Sequence, residues 1–162
     1  MIKPIDATDA RLLRELADDP RATVLSLAQR LGLARNTVQA RLARLERDGT
    51  LRSVERRVDP AALGVGIQAT VMVTLRQRVL DDVGAALAGI PEVLEVLGVS
   101  GGPDLQVAVG AADADDLYRV AGAILAIPGV ERTETALVMR QMVPYRIRPL
   151  LDRIARSERI AP

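Results

Sequence analysis

The chain contains no cysteine and no histidine in its 162 residues. Without cysteine there is no disulfide and no thiol nucleophile, and without either residue the common zinc sites are excluded. The lack of histidine also removes the one side chain that titrates near neutral pH unaided. Tryptophan and phenylalanine are missing too, leaving Tyr118 and Tyr145 as the only aromatics. A single-strand nucleic-acid surface built on stacked aromatics is therefore not expected. No apolar run is long enough for a membrane helix, and acids and arginines from Asp6 onward break any secretory h-region. A cytoplasmic protein without a membrane partner is the expectation.

What is present is apolar material, 49% of the chain, enough for one domain or two small ones. Net charge is +1 overall but unevenly spread. Residues 1–60 carry 12 Lys and Arg against 9 Asp and Glu, a net +3, while residues 61–162 carry 10 against 12, a net −2. A basic N-terminal module favours a polyanionic partner.

The first sixty residues read as short helices. Ile5, Leu12, Leu13 and Leu16 share one face of a helix expected to start near Thr8 or Asp9. Asp18-Asp19-Pro20 ends it. Thr23 is placed to cap a second helix, VLSLAQRL, whose Leu27, Ala28 and Leu31 face inward. Gly32 supplies the left-handed residue of a tight turn. The third helix, expected over Arg35–Arg47, has a buried stripe of Val38, Leu42 and Leu45. Arg35, Asn36, Thr37, Gln39, Ala40, Arg41 and Arg44 fall mostly on its other faces. Such side chains suit the base edges and phosphates of a major groove. Two short helices around a glycine turn form a helix-turn-helix. Spacing and charge alone leave a protein-interaction bundle open, since any three-helix bundle needs apolar stripes and solvated arginines. Residues 51–58, LRSVERRV, follow the Asp48-Gly49 turn and are expected to form a short hairpin or extended wing. Asp59-Pro60 breaks it.

The last hundred residues alternate differently. Strands are expected over 67–75, 93–99, 105–109 and 130–139, and helices over 79–88 and 113–125. The order β-α-β-β-α-β is the ferredoxin-like split motif, with both helices on one face of an antiparallel sheet. ALAGIPEV (86–93) and AILAIPGV (123–130) echo each other, so the two halves are built alike. The fold class is α+β. Val71, Met72, Val73 and Val107 are not expected all to face the helices, which predicts an open apolar face that becomes a two-fold interface. The plainer alternative is a set of strand-formers on a weakly covered sheet. Residues 143–162 read as a tail, irregular at first, with a helical turn or two over 150–154 docking on a neighbour. The division is thus 1–60, 61–142 and 143–162.

Nothing marks an enzyme. Asp81-Asp82 and Asp115-Asp116 sit at helix starts, where carboxylates favour the dipole. Neither GxGxxG nor a P-loop occurs, and Gly98, Gly101 and Gly102 lie at a strand-to-strand corner. No catalytic residue, cofactor or metal is expected.

The stretches IDATD (5–9), RATVLSLAQRLGLARNTVQARLARLERDGTL (21–51), DPAALG (59–64), GGPDL (101–105) and IPGVERTETALVM (127–139) together resemble the Lrp/AsnC family, the feast/famine regulators of bacteria and archaea. The resemblance runs from Ile5 to about Met142. It implies a winged helix-turn-helix followed by a ferredoxin-like, RAM-type sensing and dimerisation domain. It further implies homodimers formed through open sheet faces, often assembled into tetramers or octamers, and an amino acid or related effector at the Gly-x-x-Asp corner. The residues it singles out there are Ser100, Gly101, Gly102, Pro103, Asp104 and Leu105, with Thr133 and Thr135, on the last strand or its approach, as secondary candidates. Backbone amides near the glycines would hold a carboxylate, and Asp104 would accept from an ammonium group. Gly-Gly-Pro-Asp is equally the sequence of a tight turn. For double-stranded DNA the candidates are Arg35, Asn36, Thr37, Gln39 and Arg41, with Arg44, Arg52, Arg56 and Arg57 as phosphate contacts. Two departures stand out. Ala34 holds the place of a Ser cap, so the third helix is expected to start a turn away or to be capped by Asn36. Leu105 stands where Tyr is common. The expected function is a sequence-specific transcriptional regulator modulated by a small molecule. An architectural DNA-binding protein and a stand-alone amino-acid sensor acting on a protein partner are the rivals.

Overall fold

The computed structural model describes residues 4–52, 58–76 and 79–157. Its elements are α1 (Ala7–Asp18), α2 (Val24–Leu31), α3 (Arg35–Arg47), a 3-10 turn (Pro60–Leu63), β1 (Ile67–Leu75), α4 (Leu80–Ala88), β2 (Val93–Gly98), β3 (Leu105–Ala111), α5 (Ala114–Leu125), β4 (Val130–Leu137) and α6 (Arg148–Ser157). They gather into two compact units. One joins residues 1–56 with 143–162, and the other is residues 57–142.

In the first unit α1 starts ahead of the expected position because Asp6 caps it. The Asp9 amide donates to Asp6 Oδ1 at 2.7 Å, and the Asp6 amide donates back to the Asp9 carboxylate at 3.3 Å, a reciprocal capping box. The Ser26 amide donates to Thr23 Oγ1 at 3.2 Å and opens α2. Gly32, at φ 66°, takes the left-handed turn that a side chain would resist. Helix α3 begins at Arg35, with Ala34 as its extended, uncapped first neighbour. Neither a displaced start nor an Asn36 cap occurs. The Ala34 carbonyl accepts from the Thr37 and Val38 amides, so the backbone alone closes the first turn, and Asn36 stands exposed inside the helix.

The core of this unit is Ala10, Leu12, Leu13, Leu27, Ala28, Val38 and Leu45, joined by Leu151 and Ala155. The last two belong to α6. The tail therefore carries a ten-residue helix, longer than the expected turn or two, which docks on α1 of its own unit. Arg148 pairs with Asp18, and Arg14 Nε lies 2.9 Å from Asp152 Oδ1. The physical reason is the spacing of Leu151, Ile154 and Ala155, which lays an apolar stripe along one side of the helix. Residues 53–57, most of the expected wing, lie outside the described residues.

The second unit is an antiparallel sheet in the order β2-β3-β1-β4. Val83 and Leu87 of α4 and Leu117, Val120 and Ile124 of α5 pack on Ala69, Val71, Val73, Leu105, Val107, Val109 and Ala111. The register sets Val71 opposite Val107 and Val73 opposite Leu105. Val71, Val73 and Val107 thus lie buried beneath the helices, while, as expected, not all four of the named residues do. Of the four residues named, Met72 alone faces away, in register with Gln106 and next to the Thr70 and Ala108 pair. The open face is accordingly mixed, because a strand of period two sends every second residue of IQATVMVTL the other way. Strand ends differ by a residue or two from the expected ones: β3 runs on to Ala111, and β4 stops at Leu137.

Candidate functional site

Helix α3 has two sides. Val38 and Leu45 are fully buried and Leu42 packs beside them. Arg35, Asn36, Thr37, Gln39 and Ala40 are exposed. At 3.6 residues per turn the face opposite the stripe centres on Asn36, Ala40, Ala43 and Arg47. Gln39 flanks it on one side and Thr37 on the other.

Arg41 and Arg44 turn along the Thr37 flank toward the start of α1. Arg41 Nη1 donates to Asp6 Oδ2 and to Asp9 Oδ1, each at 2.7 Å. Arg44 Nη2 donates to Asp9 Oδ2, and its Nη1 lies 3.9 Å from Asp48. Asp9 is 1% exposed and is the one buried charged residue among those described. Burial pushes the Asp6 carboxyl up, but the Arg41 hydrogen bond, the Asp9 amide and the charges of Arg41 and Arg44 together hold it below its ordinary value. The same hydrogen bonds, from Asp6 first and Asp9 second, raise Arg41 above the usual guanidinium value. An open hollow sits over this cluster, lined by Pro4, Asp6, Asp9, Asn36, Thr37, Ala40, Arg41 and Arg44. Two carboxylates balance two guanidinium groups at its floor. Arg52 is exposed, and Arg56 and Arg57 lie outside the described residues.

The corner between β2 and β3 belongs to the second unit. Gly101, at φ 132°, adopts a backbone that L side chains rarely reach. The Val99 amide donates to the Asp104 carbonyl, and the Asp104 amide donates to the Val73 carbonyl, both at 2.9 Å. Asp104 Oδ2 accepts from the Leu75 amide at 2.7 Å, which fastens the corner to the end of β1. One oxygen of that exposed carboxylate is therefore already engaged. Ser100, Gly101 and Gly102 are exposed and Pro103 is half-buried, whereas Leu105 is buried in the core. Thr133 is in register with Val73, and Val73 with Leu105, so the three form one row across β4, β1 and β3. Thr135 sits one row on, opposite Val71, and is exposed. The structure thus brings Ser100, Gly101, Gly102 and Asp104 together, and keeps the Leu105 side chain and the two threonines apart from them.

Sequence reasoning gave no role to Asp6 and Asp9. Their partners stand 32 to 35 residues away, so no local spacing marks them. Among the described residues no group of acidic side chains is arranged to hold a metal ion, and no helix is long and apolar enough to cross a membrane.

Residues 5–52 match the profile of winged helix-turn-helix DNA-binding domains, and residues 68–147 match that of the Lrp/AsnC ligand binding domain. The HTH-type transcriptional regulator AldR of Mycolicibacterium smegmatis is 33% identical over 144 residues, covering 86% of this chain and 84% of AldR. The HTH-type transcriptional regulator LrpA of Mycobacterium tuberculosis is 34% identical over 151 residues, covering 89% of this chain and all of LrpA. Among solved structures, the feast or famine regulatory protein of M. tuberculosis complexed with L-methionine matches with a TM-score of 0.75 at 33% identity, over 86% of this chain and 95% of that one.

Proposed function

The chain belongs to the Lrp/AsnC family of transcriptional regulators, and from that premise we propose that it reads specific double-stranded DNA as a homodimer or larger homo-oligomer under the control of an amino acid or a related small molecule. The observation that carries the reading is α3, with its stripe of Val38 and Leu45 buried and Arg35, Asn36, Thr37 and Gln39 all exposed. Asn36 and Gln39 suit adenine edges, and Arg35 suits guanine or phosphate. Arg52, Arg56 and Arg57 supply phosphate contacts. The regulator works in the cytoplasm, where its DNA is.

The effector site in this reading is the corner of Ser100, Gly101, Gly102, Pro103 and Asp104. Support comes from the solved relative that holds L-methionine and from the exposed glycine backbone here. The free oxygen of Asp104 would take the ammonium group, while Thr133 and Thr135 are outlying contacts. Copies of the chain pair through the open sheet face around Met72, where Leu94 and Leu97 are also half exposed.

The test is a DNA titration on the gene's own upstream region against shuffled DNA, repeated with a panel of single amino acids that includes methionine. Selective binding altered by one amino acid is the expected result. Equal affinity for both DNAs would select the architectural reading, and no binding with capture of an enzyme partner would select the stand-alone sensor.

A further inference from the structure

The Asp9 carboxylate is buried, yet it lies at the edge of the surface read as the DNA-binding face. Its two oxygens are divided between two arginines of the same helix, Oδ1 to Arg41 and Oδ2 to Arg44. Those arginines are three positions apart, so their side chains leave α3 about 60° apart on one flank. Apolar contacts, being non-directional, fix the roll of a helix about its own axis less sharply than polar ones do. Two charge-assisted hydrogen bonds to one fixed carboxylate are directional, and a roll of α3 would lengthen both. Asp6 adds a third bond to Arg41, and the capping box ties Asp6 to Asp9. The anchor is therefore the first turn of α1, and the group held is the helix that carries Asn36, Thr37 and Gln39.

We propose that Asp9 is a positioning residue for DNA reading: it touches no DNA, fixes the roll of α3 through Arg41 and Arg44, and withdraws both arginines from the count of phosphate contacts. The inference rests on the reading of α3 as the DNA-reading helix. It also revises the role of the two arginines. Their charge is matched by Asp6 and Asp9, so they release few counterions when DNA binds.

Asp9→Asn keeps the shape and the acceptor for one arginine, and it loses the charge and the second acceptor. The full chain would be titrated with its own upstream DNA and with shuffled DNA over a series of salt concentrations. Selectivity is expected to fall by about tenfold, the discrimination of one well-placed base contact. Affinity for shuffled DNA at low salt should hold or rise, and its salt slope should steepen by about 0.9 for each arginine freed. The double variant Arg41→Gln with Arg44→Gln should leave the slope at the wild-type value. The proposal is overturned if that double variant flattens the slope by about two contacts' worth. It is equally overturned if Asp9→Asn leaves selectivity and slope unchanged, or if it lowers both affinities in parallel with the helical circular dichroism. A wild type with no preference for its own upstream DNA would instead sink the regulator reading, while slopes on shuffled DNA would still decide the role of Asp9.

Discussion

The two units are held together by different means. In the unit of residues 1–56 and 143–162, charge bridges separate helices: Arg41 and Arg44 of α3 reach Asp6 and Asp9, Arg148 pairs with Asp18, and Asp152 lies against Arg14. In the unit of residues 57–142 the ion pairs of the described residues join neighbours on one element, save the bridge from Arg119 to Glu92. Arg119 meets Asp116 on its own helix and Glu92 before β2, and Arg132 meets Glu134 two residues along β4. The cause lies in the elements. Helices satisfy their backbone hydrogen bonds internally, so only side chains can set how one lies against another. Strands are fixed to their neighbours by the backbone ladder itself, and the apolar side chains have only to fill the space beneath α4 and α5. A helix that must present a definite face therefore needs directional side-chain contacts that a sheet does not.

The sharpest way to break this comparison is to damage the sheet unit alone. Leu87→Ala removes a fully buried side chain of α4 and should cost about 3 kcal/mol. Hydrogen exchange should then quicken at the amides of β1 and β3 and stay unchanged in α1; equal loss in both would mean that the units do not unfold separately. Next in size is Leu151→Ala, which should cost the first unit about 2 kcal/mol. Faster exchange in α1 is the sign to look for, with β3 unaffected.

A gain is expected from Ala34→Ser. It supplies the side-chain acceptor that α3 lacks and should add about 1 kcal/mol of stability, read from the urea midpoint. The smallest effect is that of acid. Arg148 holds the Asp18 carboxyl below its ordinary value by hydrogen bonding, and Asp6 is lowered as described. A carboxyl lowered by folding stabilises fully above its unfolded value and loses that contribution as pH falls through the folded one. Protection in α1 and α3 should therefore decline below about pH 4. In the sheet unit Asp116, lowered first by the Ala112 amide and then by Arg119, is the one described carboxylate of this kind. Its strands should lose less protection over the same range.

Much of this architecture was legible where the signal is local. Thr23, Gly32 and the Val38, Leu42, Leu45 spacing each mark a part of the helix-turn-helix by short-range pattern. The paired Ile-Pro corners mark the repeated halves of the sheet unit. What escaped was long-range. The sequence IQATVMVTL has strand-formers at both parities, so only the register with β3 decides that Val71 and Val73 turn in and Met72 turns out. The Leu151, Ile154, Ala155 stripe announces an amphipathic helix but not its seat on α1. For the candidate sites, exposure of Asn36, Thr37 and Gln39 follows from helical period, whereas the turn of Arg41 and Arg44 toward Asp9 does not. Nor does the sequence of the corner show that Asp104 already accepts the Leu75 amide.

The seating of α6 against α1 has a consequence for how the protein is made. Leu151 and Ala155 fill a core whose other residues come from the first 45 positions. A chain emerging from the ribosome cannot finish that core when α3 appears. It must first produce the whole sheet unit, a delay of about 5–20 s at ordinary elongation rates. The helix that completes the DNA-reading unit arrives only after the ligand unit exists, so order of synthesis keeps a finished reader from preceding its sensor.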